Sequence, residues 1–138
     1  MATVPTGHDG LRVFLLTAHE LVRQQLRELL ENEGIQIVAG TASALEAARS
    51  IPLLKPDVAL LDLIVPDGNG IQVCRGVRAS NPGTYCIILA SFFDKHAFRD
   101  ALRAGASGFV LRGIRDHGLP AAIRLAAQGK SLMELPVM

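Results

Sequence analysis

The sequence predicts a single α/β domain of the doubly wound kind, in which a parallel sheet carries helices on both faces. Short apolar runs of strand length alternate with longer, helix-like segments along most of the chain. The runs lack the polar alternation of a half-exposed strand, which is typical of strands covered on both faces. Right-handed crossovers place helices on both sides of such a sheet, and 138 residues suffice for one domain with its core.

The chain begins with a predicted strand, helix and second strand. The compact apolar run 11–17 predicts the first strand. In the segment 19–33, apolar residues recur at intervals of three and four, which predicts an amphipathic helix that Gly34 ends. The apolar run 35–41 predicts the second strand.

A capping signal introduces the second helix. Ser43 and Glu46 have the spacing of a capping box, so the Ala-rich helix begins directly after Ser43. Pro52 and Pro56 leave the far end of this helix open. The run 57–62, which is apolar at its four inner positions, predicts the third strand.

The second half of the chain continues the alternation. The expected elements are helices over 70–79, 94–104 and 119–128, and strands over 85–90 and 108–111. A turn signal, Asn81-Pro82-Gly83, precedes the fourth strand. Gly105 closes the fourth helix, and Pro120 suits the first turn of the last helix.

One rim of this fold collects the residues of chemical interest. The carboxyl ends of parallel strands line a shared crevice in which ligands bind. This placement brings four residues to one rim, namely Thr17, Asp62, Ala90 and Arg112. Asp62 ends an apolar strand, where an acid is costly unless something uses it or pairs with it.

Composition and charge argue against several classes of protein. The net charge is +1, from 14 basic and 13 acidic residues, so no nucleic-acid or anionic-membrane surface is expected. No apolar run approaches a membrane span, and the start lacks the features of a secretory signal. Cys74 and Cys86 are expected as reduced thiols of a cytoplasmic protein. The four histidines, His8, His19, His96 and His117, show no metal-ligand spacing.

Three segments of the chain have the motif spacing of one known family. They read HELVRQQLRELL, LLDLIVPDGNGIQVCRGVR and ALRAGASGFVLR. Together they resemble the receiver domain of bacterial two-component response regulators, and the pattern is closest to receivers of the NarL/FixJ type. The two longer motifs are specific when they occur together.

The resemblance covers about residues 11–132 and implies a CheY/flavodoxin-like fold with the strand order 2-1-3-4-5. It divides the chain into a flexible N-terminal tail over 1–10 and a receiver domain over 11–130. Residues 131–138 are then a C-terminal tail or the start of a linker.

The resemblance also implies a role for Asp62. In the family, the Asp at this position accepts a phosphoryl group from a histidine kinase. Mg²⁺ is held there by that Asp, by an acidic pair after the first strand and by a backbone carbonyl, here that of Ile64. The acidic pair falls on Thr17 and Ala18 in this chain, and the nearby Glu20 is expected to point to solvent. No metal is therefore expected; if one binds, Asp62 and the Ile64 carbonyl would hold it.

The positions that read the phosphoryl group in the family differ as well. Its Thr or Ser after the fourth strand falls on Ala90, although Ser91 follows, and its Lys falls on Arg112. Phe109 matches the aromatic residue that changes rotamer on activation, but plain core packing is its expected role. Because a guanidinium fits a carboxylate, Arg112 is expected to pair with Asp62; failing that, a water or a backbone N–H satisfies the acid.

These replacements leave two functions open. An atypical receiver, phosphorylated poorly or not at all, would act through protein–protein contacts, and Asp62 would remain as an acid that caps the next loop. A working receiver would instead be phosphorylated on Asp62 by a histidine kinase and would use Mg²⁺. An enzyme is not expected: a haloacid-dehalogenase-type phosphatase needs a second acid where Ile64 stands, and a dinucleotide site needs a Gly-rich turn after the first strand.

The resemblance implies protein partners, including a histidine kinase and a second copy of the chain. Dimers of the family use the first and fifth helices, or the face of the fourth helix, fifth strand and fifth helix. DNA would be contacted only through an additional helix-turn-helix domain, and no such segment follows Lys130. The chain is thus a stand-alone receiver or the receiver part of a longer transcription factor.

Two local expectations concern the loops of this rim. Asp67 and Asn69 are expected to form turns. Phe92 and Phe93 are adjacent, so one of them is expected to be exposed, where it would favour a partner surface.

Overall fold

The computed structural model describes residues 10–112 and 118–133, and there the chain forms a five-stranded parallel sheet. The elements in chain order are β1 (Arg12–Leu16), α1 (Glu20–Asn32), β2 (Gln36–Thr41), α2 (Ala44–Leu54), β3 (Val58–Asp62), β4 (Ile64–Val65), β5 (Gly68–Asn69), α3 (Gly70–Ser80), β6 (Tyr85–Ala90), α4 (Lys95–Arg103), β7 (Gly108–Leu111) and α5 (Leu119–Ala127). The sheet has the order β2-β1-β3-β6-β7. This confirms the predicted order, because β6 and β7 are the fourth and fifth strands of the prediction.

The core lies in two layers, one on each face of the sheet. Along β3, Ala59 and Leu61 pack with residues of α2, α3 and α4, whereas Val58 and Leu60 pack with residues of α1 and α5. All residues of β3 are buried, and this strand lies between β1 and β6. The apolar run of β3 therefore reflects cover on both faces.

A short hairpin follows β3 where the sequence predicted only a loop. Strands β4 and β5 pair antiparallel, with Ile64 opposite Asn69 and Val65 opposite Gly68. Asn69 is also the N-cap of α3, because its Oδ1 accepts a hydrogen bond of 2.9 Å from the backbone N–H of Gln72. Asn69 was expected in a turn and lies in β5 instead, since a two-residue strand leaves almost no periodic signal in a sequence.

The expectation of a turn at Asp67 is confirmed, because it forms the two-residue turn of the hairpin with Pro66. Asp67 also binds the start of α2. Its carboxylate accepts hydrogen bonds from Ser43 Oγ at 2.7 Å and from the backbone N–H groups of Ala44 and Leu45 at 2.6 and 3.2 Å. These bonds, first the one from Ser43, lower the pKa of Asp67. A negative charge is favourable at a helix N-terminus. The hydrogen bonds of Asp67 therefore stabilise the contact between the hairpin and α2.

The predicted capping box of α2 is half formed. Ser43 Oγ accepts a hydrogen bond of 3.1 Å from the backbone N–H of Glu46, as predicted. The Glu46 carboxylate does not reach back to Ser43 and instead accepts a hydrogen bond of 2.8 Å from Thr41 Oγ1. The N–H of Ser43 donates to the same Thr41 oxygen at 3.1 Å. Thr41, at the end of β2, thus takes the place of the second half of the box.

The packed part of the chain extends beyond the predicted boundary at residue 130. The backbone N–H of Leu132 donates to the carbonyl of Ser107, beside β7. Met133 packs against the core layer of α2, α3 and α4. The remainder of the predicted tails, 1–9 and 134–138, lies outside the described residues, as do His8 and His117.

Two expectations from composition can be compared with the fold. Cys74 and Cys86 are both buried, and their thiols are free. Within the described residues, none of the helices combines the length and the apolar character that crossing a membrane requires.

Candidate functional site

The carboxyl ends of the sheet strands form a cleft, as the topology predicts. It has a volume of about 390 Å³ and opens directly beside Asp62. Residues from several chain segments line it, among them Ala18, Asp62, Ile64, Ala90, Phe92 and Arg112. The structure therefore brings together most of the candidate residues that the sequence singled out.

Asp62 is a buried carboxylate with two protein partners. It is the last residue of β3 and is 3% exposed. The backbone N–H of Ala18 donates to its Oδ2 at 2.9 Å, and Arg112 Nη1 lies 3.2 Å from each of its oxygens. Burial raises the pKa of Asp62, and the Ala18 hydrogen bond and the Arg112 charge offset this rise only in part.

Arg112 is held in place by the edge of the sheet. Directly after β7, its backbone N–H donates to the carbonyl of Ala90 at 2.8 Å. The ion pair between Arg112 and Asp62 was predicted, and the structure confirms it. The geometry differs from a two-nitrogen fork, because one nitrogen, Nη1, serves both carboxylate oxygens. A backbone N–H was the predicted alternative to Arg112, and the structure has both partners, because the Ala18 N–H also donates to Asp62.

Thr17 and Ala18 occupy the acidic-pair positions without supplying a charge. Thr17 is completely buried, and within the described residues its hydroxyl has no hydrogen-bond partner. Its carbonyl accepts a hydrogen bond of 2.8 Å from Arg23 Nη1, a contact that the sequence did not indicate. Glu20 is exposed, as expected, and does not line the cleft.

Among the described residues that line the cleft, Asp62 alone offers a carboxylate to a magnesium ion. Mg²⁺ requires near-octahedral oxygen ligands, usually with one or two carboxylates. Across the two described stretches of chain, no group of three His, Cys, Asp or Glu side chains is placed to hold a metal ion. Asp62 already faces the guanidinium of Arg112, whose charge opposes that of any cation beside it. Ile64, whose carbonyl was the other candidate ligand, belongs to β4.

Phe109 belongs to a cluster of three aromatic rings and is not among the residues that line the cleft. Its ring centroid lies 6.2 Å from that of Phe93 and 5.7 Å from that of Phe98, both in edge-to-face contact. Phe93 and Phe98 are 5.8 Å apart. Phe92 is 64% exposed, which confirms that one residue of the adjacent pair faces outward. The sequence indicated Phe109 but not its two partners, which come from a loop and from α4.

The sequence profile of the response regulator receiver domain matches residues 13–124. The chain belongs to this family. Over 90% of its length it is 39% identical to the DNA-binding transcriptional activator DevR/DosR of Mycobacterium tuberculosis. It is 30% identical over 93% of its length to the response regulator protein VraR of Staphylococcus aureus. The receiver domain is thus of the NarL/DevR type.

Solved structures agree with this assignment. A two-component response regulator of the LuxR family from Aurantimonas sp. SI85-9A1 matches with a TM-score of 0.82 and 30% identity, over 87% of this chain and 86% of that one. The receiver domain of the response regulator NarL from Mycobacterium tuberculosis gives a TM-score of 0.82 and 28% identity, over 87% and 98% of the two chains. The receiver chain spans only 58% of DevR/DosR and 62% of VraR.

One contact of this receiver domain explains the Gly70 of its loop motif. A Cβ atom at Gly70 would collide with the carbonyl oxygen of Asp62 and crowd the side chain of Leu61. The first turn of α3 therefore lies directly against the end of β3. Gly70 lets the helix approach, and it thereby sets the backbone position of Asp62.

Proposed function

We propose that this receiver domain is an atypical signalling module, phosphorylated slowly or not at all on Asp62, which acts through protein–protein contacts. The pairing of Asp62 with Arg112, 3.2 Å away, is the observation that carries the proposal. A fixed cation and a backbone N–H therefore already offset part of the cost of burying this carboxylate without a metal.

The replaced residues would slow phosphoryl transfer. Such transfer depends mostly on positioning and on electrostatic stabilisation of the charge that develops on the phosphoryl group. Thr17 and Ala18 provide no charge to recruit Mg²⁺. Single electrostatic contributors of this kind are worth about 10²–10³ in rate, so loss of the metal cage slows phosphorylation of Asp62 by several powers of ten.

The coupling of the site to the rest of the domain is also weakened. Ala90, 3% exposed at the end of β6, has no hydroxyl with which to bind a phosphoryl oxygen. Phe109 is packed edge to face against two other rings. Both features favour one fixed conformation over a switch.

The wider role of the proposed module follows from its relatives. DevR/DosR is a DNA-binding transcriptional activator, and this chain corresponds to 58% of its length. We propose that the domain regulates transcription in the cytoplasm where it is joined to a DNA-binding domain, itself contacting neither DNA nor membrane. Protein partners would include a second copy of the chain, through α1 and α5 or through α4, β7 and α5, and catalytic activity and a metal cofactor are not part of the proposal.

One observation favours the alternative of a working phosphoacceptor. Asp62 lines an open cleft, so a small phosphodonor could reach it despite its burial. In that case a histidine kinase would phosphorylate Asp62, and Mg²⁺ would be required.

Incubation with acetyl phosphate and Mg²⁺, followed by intact-mass measurement, separates the two functions. The natural sequence should remain unmodified. Under the same conditions, we expect one added phosphoryl group on a combined variant that carries Thr17→Asp, Ala18→Asp, Ala90→Thr and Arg112→Lys. Asp62→Asn in that combined variant serves as the control that places the modification. Stoichiometric modification of the natural sequence on Asp62 would overturn the proposal.

A further inference from the structure

The cleft beside Asp62 is larger than an ion pair needs. Its volume of about 390 Å³ falls within the range of roughly 300–1,000 Å³ that is typical of small-molecule sites. Such sites are mainly apolar and contain a few polar groups that fix the orientation of a ligand. The cleft beside Asp62 has a mainly apolar lining and a few polar groups.

The walls present two large apolar side chains to solvent. Ile64, on the hairpin, is 70% exposed, and Phe92, after β6, is 64% exposed. Both line the cleft, together with Val65, Pro66 and Ala90. An isolated exposed apolar residue is ordinary on a protein surface, whereas two that face one cavity indicate a contact surface.

The polar end of the cleft retains unused hydrogen-bond donors. Arg112 engages Asp62 through Nη1 alone. Within the described residues, Nε and Nη2 of this guanidinium make no hydrogen bond, and the side chain is 24% exposed. A guanidinium carries five N–H donors in a planar fork that matches a carboxylate. His19 also lines the cleft, and its imidazole adds a further hydrogen-bonding group.

We propose that this cleft binds a small-molecule carboxylate with an aromatic body of one or two rings. The carboxylate binds Nε and Nη2 of Arg112, and the rings pack between Ile64 and Phe92. The inference rests on the proposed function, since a cleft that assembled Mg²⁺ and a phosphoryl group on Asp62 would not be available to such a ligand. The limited volume of the cleft favours a small molecule over a protein segment, which would need a longer groove.

A titration of the ¹⁵N-labelled chain with 1-naphthaleneacetate tests the site. We expect saturable binding with a dissociation constant of about 1 mM, appropriate to a ligand of this size. Amide shifts should concentrate at Ala18, Ile64, Ser91 and Arg112. The neutral amide of the probe should bind several-fold more weakly, and 2-(1-naphthyl)ethylamine, which carries a positive charge, should not saturate.

Variants at the rim provide the matched comparison. Ile64→Ala and Phe92→Ala change exposed side chains and should each weaken binding of 1-naphthaleneacetate at least threefold, roughly the loss of one wall of apolar contact. Leu53→Ala is the control, because Leu53 is 83% exposed at the far end of α2 and outside the cleft. No saturation by the naphthaleneacetate, equal binding of the amine, or an equal effect of the Leu53 control would each overturn the inference.

The mass measurement with acetyl phosphate distinguishes the two proposals. A natural sequence that stays unmodified and does not bind the probe contradicts the ligand site alone. A natural sequence that is modified on Asp62 contradicts the proposed function, whatever the titration shows.

Discussion

At the scale of single residues, the site is governed by one buried charge. Asp62 has two sources of compensation, the Ala18 N–H and the Arg112 guanidinium. Taking a charge out of water costs free energy, and a buried pair recovers that cost only through its mutual attraction and its hydrogen bonds. Removal of Arg112 alone therefore leaves a buried charge without its cation, whereas replacement of both Asp62 and Arg112 leaves no buried charge.

Replacement of Arg112 alone should destabilise the domain. In Arg112→Gln the buried carboxylate keeps only the Ala18 N–H as a partner, and we expect the free energy of unfolding to fall by about 1–3 kcal/mol. The double variant Asp62→Asn, Arg112→Gln contains no unpaired charge and should lie closer to the natural sequence. Urea denaturation of the three proteins measures both differences. A double variant less stable than Arg112→Gln would show that the Asp62 carboxylate carries no net cost without its cation, and would contradict this account.

The raised pKa of Asp62 gives a pH dependence of defined sign. Between the ordinary Asp value of 3.8 and the raised value in the folded protein, the folded state binds more protons than the unfolded state. The free energy of unfolding therefore falls as pH rises through this window. The stability of the natural sequence, measured relative to Asp62→Asn, should decline as the pH rises above the ordinary Asp value of 3.8, since other groups titrate alike in both proteins. A relative gain in stability over the same interval would contradict the shift.

At the scale of elements, helix caps formed by neighbouring residues could be predicted from the sequence. The long-range contacts of Asp67 and of the aromatic rings could not. Ser43 was recognised as a helix cap because its partner lies three residues away. Asp67 caps the same helix from 23 residues away, and nothing local distinguishes that role from a turn. The aromatic cluster was missed for the same reason, because α4 and β7 bring its rings together only in the folded chain.

The junction of β3 and α3 should not tolerate a side chain at Gly70. Gly70→Ala forces the helix away from the carbonyl of Asp62, and overpacking of this kind costs about 1–3 kcal/mol of unfolding free energy. Gly76→Ala is the matched control within α3, because a Cβ there has no heavy atom within 4 Å. It should stabilise the domain by about 0.5–1 kcal/mol through helix propensity. Thermal unfolding of both variants gives the comparison, and similar effects would disprove the close approach.

At the scale of the whole molecule, the fold class was predictable because burial on both faces leaves uninterrupted apolar runs. Those runs predicted the fold class and, with it, the shared rim of Asp62, Ala90 and Arg112, whereas the strand order was implied by the family resemblance. The partner of Asp62 also followed, since a buried carboxylate needs a cation or a donor. The geometry of that contact, the hairpin and the unsatisfied Thr17 hydroxyl depend on packing details that periodicity does not encode.

The domain as a whole should not respond to a phosphoryl mimic. A switch needs the metal cage, a hydroxyl at the end of β6 and a movable aromatic residue, whereas here Ala90 replaces the hydroxyl and two neighbouring rings hold Phe109. Addition of beryllofluoride and Mg²⁺ should leave the ¹H–¹⁵N spectrum of the natural sequence unchanged. The combined variant that restores the family residues at positions 17, 18, 90 and 112 should show shifts around Asp62. Shifts in the natural sequence that spread from β6 through α4 to β7 would mean that the rings still move, and that the ion pair of Asp62 opens to admit the metal.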